Sequence, residues 1–300
     1  MNKPKKTKKM DRRDFIKKSA QMAGAGVLAS GLSSCNLLLD ETTGGGLLLK
    51  GDCGKILYQT TGNALAIIDL NKDFEITSVS GVVVDTLGSF YLSPSRIKIT
   101  YALLGDLRSV NVDGTGDSLL LTDRSPAKSG IWYPHFSLDG SKIVFYEVLN
   151  GPVEGVFTIN SDGSGVSSQL IPATVASYPV WSPDGSKIAY ISGGNLLSMT
   201  ASGTALNVPS VMADNTSRPS WSSDGSKLIY TDAAGGFLYV VNSSGGSGVS
   251  LGISGTFPSY SPSGEQIAYV SGSQIYIADS DGSNSKPCPG VTNAVAIEWR

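Results

Sequence analysis

Residues 177–192 read SYPVWSPDGSKIAYIS, and close copies of this stretch return three more times in the chain. The copies are IWYPHFSLDGSKIVFY at 131–146, SRPSWSSDGSKLIYTD at 217–232 and TFPSYSPSGEQIAYVS at 256–271. The large apolar residue before the turn recurs at spacings of 44, 45, 40, 39 and 39, at Leu92, Phe136, Trp181, Trp221, Tyr260 and Trp299. A repeat of this length indicates a solenoid, a propeller or a similar array.

The local composition of each copy favours strands over helices. Runs such as Lys187–Tyr190 and Lys227–Tyr230 are short and rich in β-forming residues, and Asp-Gly pairs precede them. In each Asp-Gly pair the glycine can take the positive φ that a tight turn requires. A second turn ends each repeat, as in SDGSG at 161–165. Two turns at fixed offsets predict a propeller blade, in which we expect proline at the start of a strand and the aromatic residue wedged between neighbouring sheets.

The motif P-x-W-S-P-D-G-S-K-I-A-Y, residues 179–190, resembles the repeat of the TolB-like six-bladed β-propellers. The resemblance covers about residues 51–300 and is weakest in the first copy, FYLSPSRIKITYA at 90–102, which lacks the Asp-Gly turn. It implies an all-β fold, a six-bladed β-propeller of four-stranded antiparallel blades.

The two ends of the repeat region complement each other. AVAIEWR at 294–300 matches the opening strand of a blade, and GDCGKILY at 51–58 matches the remainder, PDGSKIAY at 183–190. We therefore expect one blade to be closed by N- and C-terminal strands together, which removes an open sheet edge. In the rival arrangement, Leu47–Leu49 supply the innermost strand.

The first 35 residues have the layout of an export signal. Nine of the 23 Lys and Arg residues lie here, followed by the weakly apolar AQMAGAGVLASGL, too short for a transmembrane helix. Arg12 and Arg13 with the residues after them resemble the twin-arginine signal, and LSSC at 32–35 resembles a bacterial lipobox. These resemblances imply cleavage before Cys35, its lipidation, and a protein lipid-anchored to a membrane outside the cytoplasm, on the periplasmic face or the cell surface. Residues 36–50 are then expected to be a flexible tether to the propeller at 51–300.

The charge balance of the rest of the chain excludes one class of partner. Residues 36–300 hold 14 basic against 23 acidic side chains, a net charge of −9. Nucleic-acid binding depends on Lys and Arg that neutralise phosphates. We therefore expect no nucleic-acid partner.

Motifs for catalysis or metal binding were not found. The chain has one histidine, His135, no G-x-S-x-G nucleophile motif and no cysteine or histidine spacing typical of zinc. Short acidic stretches such as DSDGSN at 279–284 are explained by hairpin turns, so no metal and no cofactor are expected. The aligned positions of Cys53 and Cys288 lie in different parts of neighbouring blades, which makes a disulfide between them doubtful.

The mouth of the central channel is the remaining candidate site. The residues that directly precede the strand-opening prolines are expected to ring one end of the channel together with His135, and they are Tyr133, Tyr178, Arg218 and Phe257. Aromatic residues and arginine are enriched at binding hot spots. The same residues could equally be ordinary packing at the strand entrances.

These features favour a non-catalytic binding or scaffold protein of the cell envelope, a monomer that presents the channel mouth to a protein or glycan partner. The alternative is a propeller-fold hydrolase or lyase that acts on glycans or lactones through carboxylates. Propellers support both classes of function, so the fold does not decide between them.

Overall fold

The computed structural model describes residues 36–40, 46–50, 53–72, 74–84, 87–122, 130–148, 154–165, 168–172, 176–206, 211–214 and 216–300. Arg12, Arg13 and Cys35, and with them the predicted export signal and lipidation site, lie outside the described residues. Within the segment expected to be a tether, two strands pair antiparallel with each other, β1 (Asn36–Asp40) and β2 (Gly46–Lys50).

The remaining strands form six sheets of four antiparallel strands, the six blades of a propeller. Blade 1 contains β3 (Lys55–Thr60), β4 (Ala64–Asp69), β5 (Glu75–Val83) and the C-terminal β26 (Ala294–Trp299), with a 3₁₀ turn at Leu70–Lys72. Blade 2 contains β6 (Phe90–Leu92), β7 (Lys98–Leu103), β8 (Asp106–Asn111) and β9 (Ser118–Leu121). Blade 3 contains β10 (Ile131–Phe136), β11 (Lys142–Val148), β12 (Glu154–Asn160) and β13 (Ser168–Pro172).

The second half of the ring repeats the same order. Blade 4 contains β14 (Ala176–Trp181), β15 (Lys187–Ser192), β16 (Asn195–Thr200) and β17 (Val211–Met212). Blade 5 contains β18 (Ser220–Trp221), β19 (Lys227–Thr231), β20 (Phe237–Asn242) and β21 (Val249–Ser254). Blade 6 contains β22 (Thr256–Tyr260), β23 (Gln266–Ser271), β24 (Gln274–Asp279) and β25 (Lys286–Pro287). The predicted all-β, six-bladed fold is confirmed.

Blade 1 closes the ring by joining the two ends of the repeat region. Strand β26 is the innermost strand and pairs with β3, with Ile297 opposite Tyr58 and Trp299 opposite Ile56. Arg300 continues this pairing, because its backbone N–H donates to the carbonyl of Lys55 at 2.8 Å. The expected closure by the C-terminal strand is therefore confirmed. The rival role for Leu47–Leu49 is wrong, because β2 pairs with β1.

The repeated S-x-D-G-S sequence builds the same turn in blades 3, 4 and 5. In blade 4 the Ser182 hydroxyl donates to Asp184 Oδ1 at 2.6 Å, and the backbone N–H of Lys187 donates to Ser182 Oγ at 2.9 Å. The predicted positive φ of the glycine is confirmed, at 68° for Gly185. The hydrogen bonds lower the pKa of Asp184 to about 2, the Ser182 hydroxyl having the largest effect. The serines of the repeat therefore tie the turn to its own aspartate.

A bulge in the innermost strand explains the repeated proline. The register of β14 against β15 shifts between Ser177 and Val180, and Tyr178 in this gap has a positive φ of 50°. The same shift occurs in β10 and β22, each with an aromatic residue at positive φ before proline. The proline was expected at the start of the strand. In these three blades it lies inside the strand, at the bulge, where the ladder is interrupted and its missing N–H costs no hydrogen bond.

The large apolar residue of each repeat packs between blades, as predicted. Trp181 lies in a buried cluster with Tyr146 of blade 3 and Met199 of blade 4. Trp221 lies in a cluster with Val180 of blade 4 and Tyr230 of blade 5. These wedges hold neighbouring sheets together and fix where the innermost strands lie around the axis.

Candidate functional site at the axis of the propeller

One end of the channel is filled by aromatic side chains from three blades. The ring of Tyr178 lies 4.0 Å from that of Tyr133 and 5.8 Å from that of Phe257, measured between centroids. The Tyr178 hydroxyl donates to the carbonyls of Leu87 and Thr216 at 3.2 and 3.1 Å. Burial raises the pKa of Tyr178 above its ordinary range, and the neighbouring Tyr133 acts in the same direction. This group of Tyr133, Tyr178 and Phe257, the axial aromatic cluster, closes its end of the channel.

Arg218 crosses the axis from blade 5 and holds other blades together. Its guanidinium donates to the carbonyls of Phe90 at 2.9 Å and Ile297 at 2.6 Å, and forms an ion pair with Glu298 at 2.8 Å. The Arg218 and Glu298 side chains are 6% and 7% exposed. Burial raises the pKa of Glu298 to about 7, although the charge of Arg218 acts in the opposite direction. Burial likewise lowers the pKa of Arg218, and Glu298 opposes that shift.

The other end of the channel, which carries the Asp-Gly turns, contains a cavity of about 190 Å³. We call it the axial cavity, and every blade contributes side chains to its wall. The wall contains, for example, one side chain from each of blades 2, 3, 4, 5, 6 and 1, which are in that order Tyr91, His135, Trp181, Ser220, Tyr260 and Arg300. Tyr91, His135 and Ser220 occupy the same position of the repeat, Trp181 and Tyr260 the next position, and Arg300 the one after that. The wall therefore receives chemically different side chains from neighbouring positions of the six blades.

Histidine 135 is a neutral residue in this wall. Its Nδ1 accepts a hydrogen bond from the backbone N–H of Trp181 at 3.3 Å, so the proton of the neutral ring is carried by Nε2. Burial, with the charge of Arg218 as a second cause, places the pKa of His135 well below its ordinary value. The serines at the equivalent positions accept the corresponding hydrogen bonds, with Ser220 Oγ bound to the N–H of Tyr260 at 3.2 Å and Ser259 Oγ to that of Trp299 at 3.0 Å. This contact therefore joins one blade to the next.

Arg300 has hydrogen-bonding capacity that the protein does not use. Its guanidinium lies over the Tyr91 ring, 4.8 Å from the centroid, and its Nε lies 3.1 Å from Glu298 Oε1 without the geometry of a hydrogen bond. Burial lowers the pKa of Arg300 to about 10, which leaves the group charged at neutral pH.

Two further buried donors in the wall have no hydrogen-bond partner within the described part of the chain. They are the hydroxyl of Tyr91 and the indole N–H of Trp181. The equivalent tryptophans differ, because Trp221 donates to the carbonyl of Val180 at 3.2 Å and Trp299 to that of Cys53 at 2.7 Å. Most buried polar groups in proteins are hydrogen-bonded, so these two donors require an explanation.

The structure places the five side chains predicted for the channel mouth along the axis, but it divides them between the two ends and buries most of them. Tyr178, Phe257, Arg218 and His135 are at most 5% exposed, and Tyr133 is partly buried. Tyr133, Tyr178 and Phe257 pack against one another at the closed end, while His135 reaches the axial cavity. A ligand-binding role for these residues stays a prediction.

Sequence reasoning missed Tyr91, Glu298 and Arg300. Tyr91 lies in the degraded first copy of the repeat, whereas Glu298 occupies in blade 1 the position that His135 occupies in blade 3. The match between residues 294–300 and the opening strands of the other blades is the sequence signal for Glu298.

Within the described residues, neither a Cys53–Cys288 pair nor a cluster of metal-ligating side chains forms a second site. Cys288 is a free buried thiol, so it does not pair with Cys53, and burial raises its pKa to about 12. Among the side chains that the structure describes, no three His, Cys, Asp or Glu residues are grouped so as to hold a metal ion. No helix in the described ranges is long and apolar enough to span a membrane.

Comparison with known proteins shows the same fold. No family model and no curated protein matches the sequence. Among solved structures, TolB from Acinetobacter baumannii is similar with a TM-score of 0.64 and 18% identity, over 83% of this chain and 67% of that one. The nidogen/laminin complex is similar with a TM-score of 0.62 and 12% identity, over 82% of this chain and 97% of that one. Oligogalacturonate lyase in complex with manganese is similar with a TM-score of 0.53 and 13% identity, over 84% of this chain and 83% of that one. The chain therefore has the TolB-like six-bladed β-propeller fold.

Proposed function

We propose that this protein is a lipid-anchored propeller of the cell envelope that binds a partner, a protein or a glycan, without catalysing a reaction. The observation that carries the proposal is the axial cavity, where side chains of all six blades meet and buried donors have no hydrogen-bond partner in the described parts of the chain. Packing of the repeat does not require an unpaired indole N–H, because the indole N–H groups of Trp221 and Trp299 donate to backbone carbonyls within the protein.

The structural neighbours support binding as a function of this fold. One neighbour is TolB, whose repeat the sequence of this chain resembles. Another neighbour is a complex between two proteins, nidogen and laminin. Neither identifies the partner of this chain, because the sequence identities are below 20%. We place the binding site at the open end of the axis, since the axial aromatic cluster fills the opposite end.

The partner-binding proposal is tested by site-specific photocrosslinking in the envelope. A photoreactive amino acid replaces Leu138, which is 46% exposed at the cavity wall, or Met212, which is 70% exposed on the outermost strand of blade 4. We expect a discrete crosslinked product from position 138 and none of that mass from position 212. Equal products from both positions, or none from position 138, would contradict the proposed site.

The anchor is the second part of the proposal and rests on Arg12, Arg13 and the LSSC sequence that ends at Cys35. Several acyl chains on one cysteine hold a protein firmly, because each buried methylene contributes about 0.8 kcal/mol. We expect Cys35→Ala to abolish labelling by a fatty-acid analogue, while Ser34→Ala, which keeps a small residue before the cysteine, stays labelled. Labelling of Cys35→Ala at the level of the natural protein would refute lipidation at this residue.

The enzyme alternative retains one supporting observation. Glu298 is a buried carboxylate in the cavity wall with its pKa raised to about 7, the range that suits a general base near neutral pH. One structural neighbour is a lyase. Turnover of oligogalacturonides or lactones that disappears in Glu298→Gln would establish this alternative, whereas binding without turnover supports the scaffold function.

A further inference from the structure

The wall of the axial cavity contains hydrogen-bond donors that have no partner among the described residues. The unused donors are the Tyr91 hydroxyl, the Trp181 indole N–H and the Arg300 guanidinium. We infer that the cavity takes a small hydroxylated organic acid and binds its carboxylate through Arg300 and Tyr91. This inference rests on the proposed function, because it requires the axial cavity to be a binding site.

The charges at the cavity favour an anion. Arg300 lines the wall and Arg218 lies directly behind it, while Glu298 contributes a carboxylate to the wall. Glu298 is already paired with Arg218 at 2.8 Å, so it does not neutralise Arg300 fully. The aspartates of the neighbouring turns, such as Asp184, accept hydrogen bonds from the serines of their own turns.

Arg300 is arranged to receive a carboxylate. Its guanidinium lies over the Tyr91 ring, 4.8 Å from the centroid, and within the described residues its side chain makes no hydrogen bond. A planar guanidinium with free N–H groups matches the two oxygens of a carboxylate. The Arg300 side chain is 26% exposed, so a ligand can reach it from the open end of the cavity.

The Tyr91 hydroxyl is the donor least readily explained by packing. Tyr91 is completely buried, its ring lies 3.7 Å from that of His135, and its hydroxyl has no hydrogen-bond partner among the residues that the structure describes. A phenylalanine would keep the ring contacts without burying an unpaired hydroxyl. The hydroxyl gains a partner if a ligand oxygen occupies the cavity.

The size and the wall of the cavity limit the ligand to one small molecule or one terminal unit. A volume of about 190 Å³ equals the share of about six water molecules, which is the size of a monosaccharide. Aromatic rings of Trp181, Trp221 and Tyr260 supply flat apolar faces, and hydroxyls such as that of Ser220 lie between them. Such a wall suits a compact ring with hydroxyl groups better than an extended aliphatic acid.

The inference is tested by titration calorimetry on the full-length protein with D-glucuronate as the probe. D-Glucose is the uncharged counterpart, and N-acetyl-L-alanine supplies a carboxylate from an amino acid. We expect D-glucuronate to bind at least about tenfold more tightly than D-glucose. Tighter binding of N-acetyl-L-alanine than of D-glucuronate would assign the carboxylate to a peptide and overturn the sugar-like part of the inference.

The decisive variant is Tyr91→Phe, with Tyr101→Phe as its matched control. The Tyr101 hydroxyl donates to Asp117 at 2.7 Å, and Tyr101 is not part of the cavity wall. Tyr91→Phe should weaken D-glucuronate binding about fivefold or more while leaving the melting temperature of the free protein unchanged or higher, because it removes a buried unpaired group. Tyr101→Phe should lower the melting temperature and leave binding unchanged.

Unchanged D-glucuronate affinity in Tyr91→Phe, equal binding of D-glucose, or no binding of either carboxylate at millimolar concentration would each overturn the inference. These outcomes are distinguishable from failure of the proposed function. Crosslinking from position 138 without carboxylate binding would refute only the ligand chemistry, whereas loss of crosslinking would refute the binding site itself.

Discussion

At the scale of single residues, the axis departs from the repeat where charges are buried. Arg218 and Glu298 come from positions that hold aromatic or small residues in most other blades. They lie 2.8 Å apart with both side chains nearly unexposed, so burial opposes the charged form of each while their mutual attraction favours it. Arg218 was predicted at the axis from its place before proline. Its partner was not predicted, because Glu298 lies eighty positions further along the chain in the closing strand.

The raised pKa of Glu298 predicts a specific dependence of stability on pH. The folded protein holds a proton on this carboxyl up to about pH 7, whereas in the unfolded chain the proton is lost near pH 4.5. The contribution of Glu298 is therefore fully present below about pH 4.5 and is lost as the pH rises to about 7. The total change is on the order of 3 kcal/mol.

His135 acts in the opposite direction in the same range, because its pKa is lowered in the folded protein. The measurement is therefore the difference in unfolding free energy between the natural protein and Glu298→Gln, from urea titrations between pH 4 and pH 8. We expect the natural protein to lose stability relative to Glu298→Gln as the pH rises. A difference that is independent of pH would show that burial does not raise the pKa of Glu298.

At the scale of elements, the sequence was sufficient to predict the strands and turns of a blade. It did not predict the bulge in the innermost strand or the burial of the mouth residues. The Asp-Gly turns and the wedge position of Trp181 followed from the repeat, because these depend on local backbone geometry and on packing at a fixed period. The bulge at Tyr178 could not be predicted from the repeat, because proline is compatible both with the start of a strand and with an interruption inside it. Burial of the predicted mouth residues was missed because ring contacts across the axis join residues about 45 to 80 positions apart.

Strand β26 is the element on which closure depends. Deleting residues 294–300 exposes β3 and the flank of blade 6, and it removes Trp299, whose indole N–H donates to the carbonyl of Cys53. Loss of a buried tryptophan alone costs about 3–5 kcal/mol, so we expect the whole propeller to melt at a much lower temperature.

Trp299→Phe is the control for this deletion, because it keeps the strand and removes only part of the side chain. It should lower the melting temperature by a smaller amount. If the truncated protein had the same melting temperature as the natural protein, closure by β26 would not stabilise the ring.

At the scale of the whole molecule, the propeller has one closed and one open axial end. The closed end contains the axial aromatic cluster, and the open end contains the axial cavity with Arg300, Tyr91 and Trp181 in its wall. Six-fold repetition explains why so many different side chains meet at one place, since equivalent positions of all blades converge there. The repeat thus predicts where a site is, while its chemistry depends on the positions that depart from the repeat.

The central claim is that the open end of the axis is where this protein binds its ligand. Leu138→Trp places an indole at the rim of the axial cavity, and Met212→Trp places the same group on the outer edge of blade 4. The most direct test is the D-glucuronate affinity of both variants by titration calorimetry, with melting temperatures to verify folding. We predict a loss of about tenfold or more for Leu138→Trp, equivalent to about 1.4 kcal/mol, and no change for Met212→Trp. An affinity of folded Leu138→Trp equal to that of the natural protein would contradict the account.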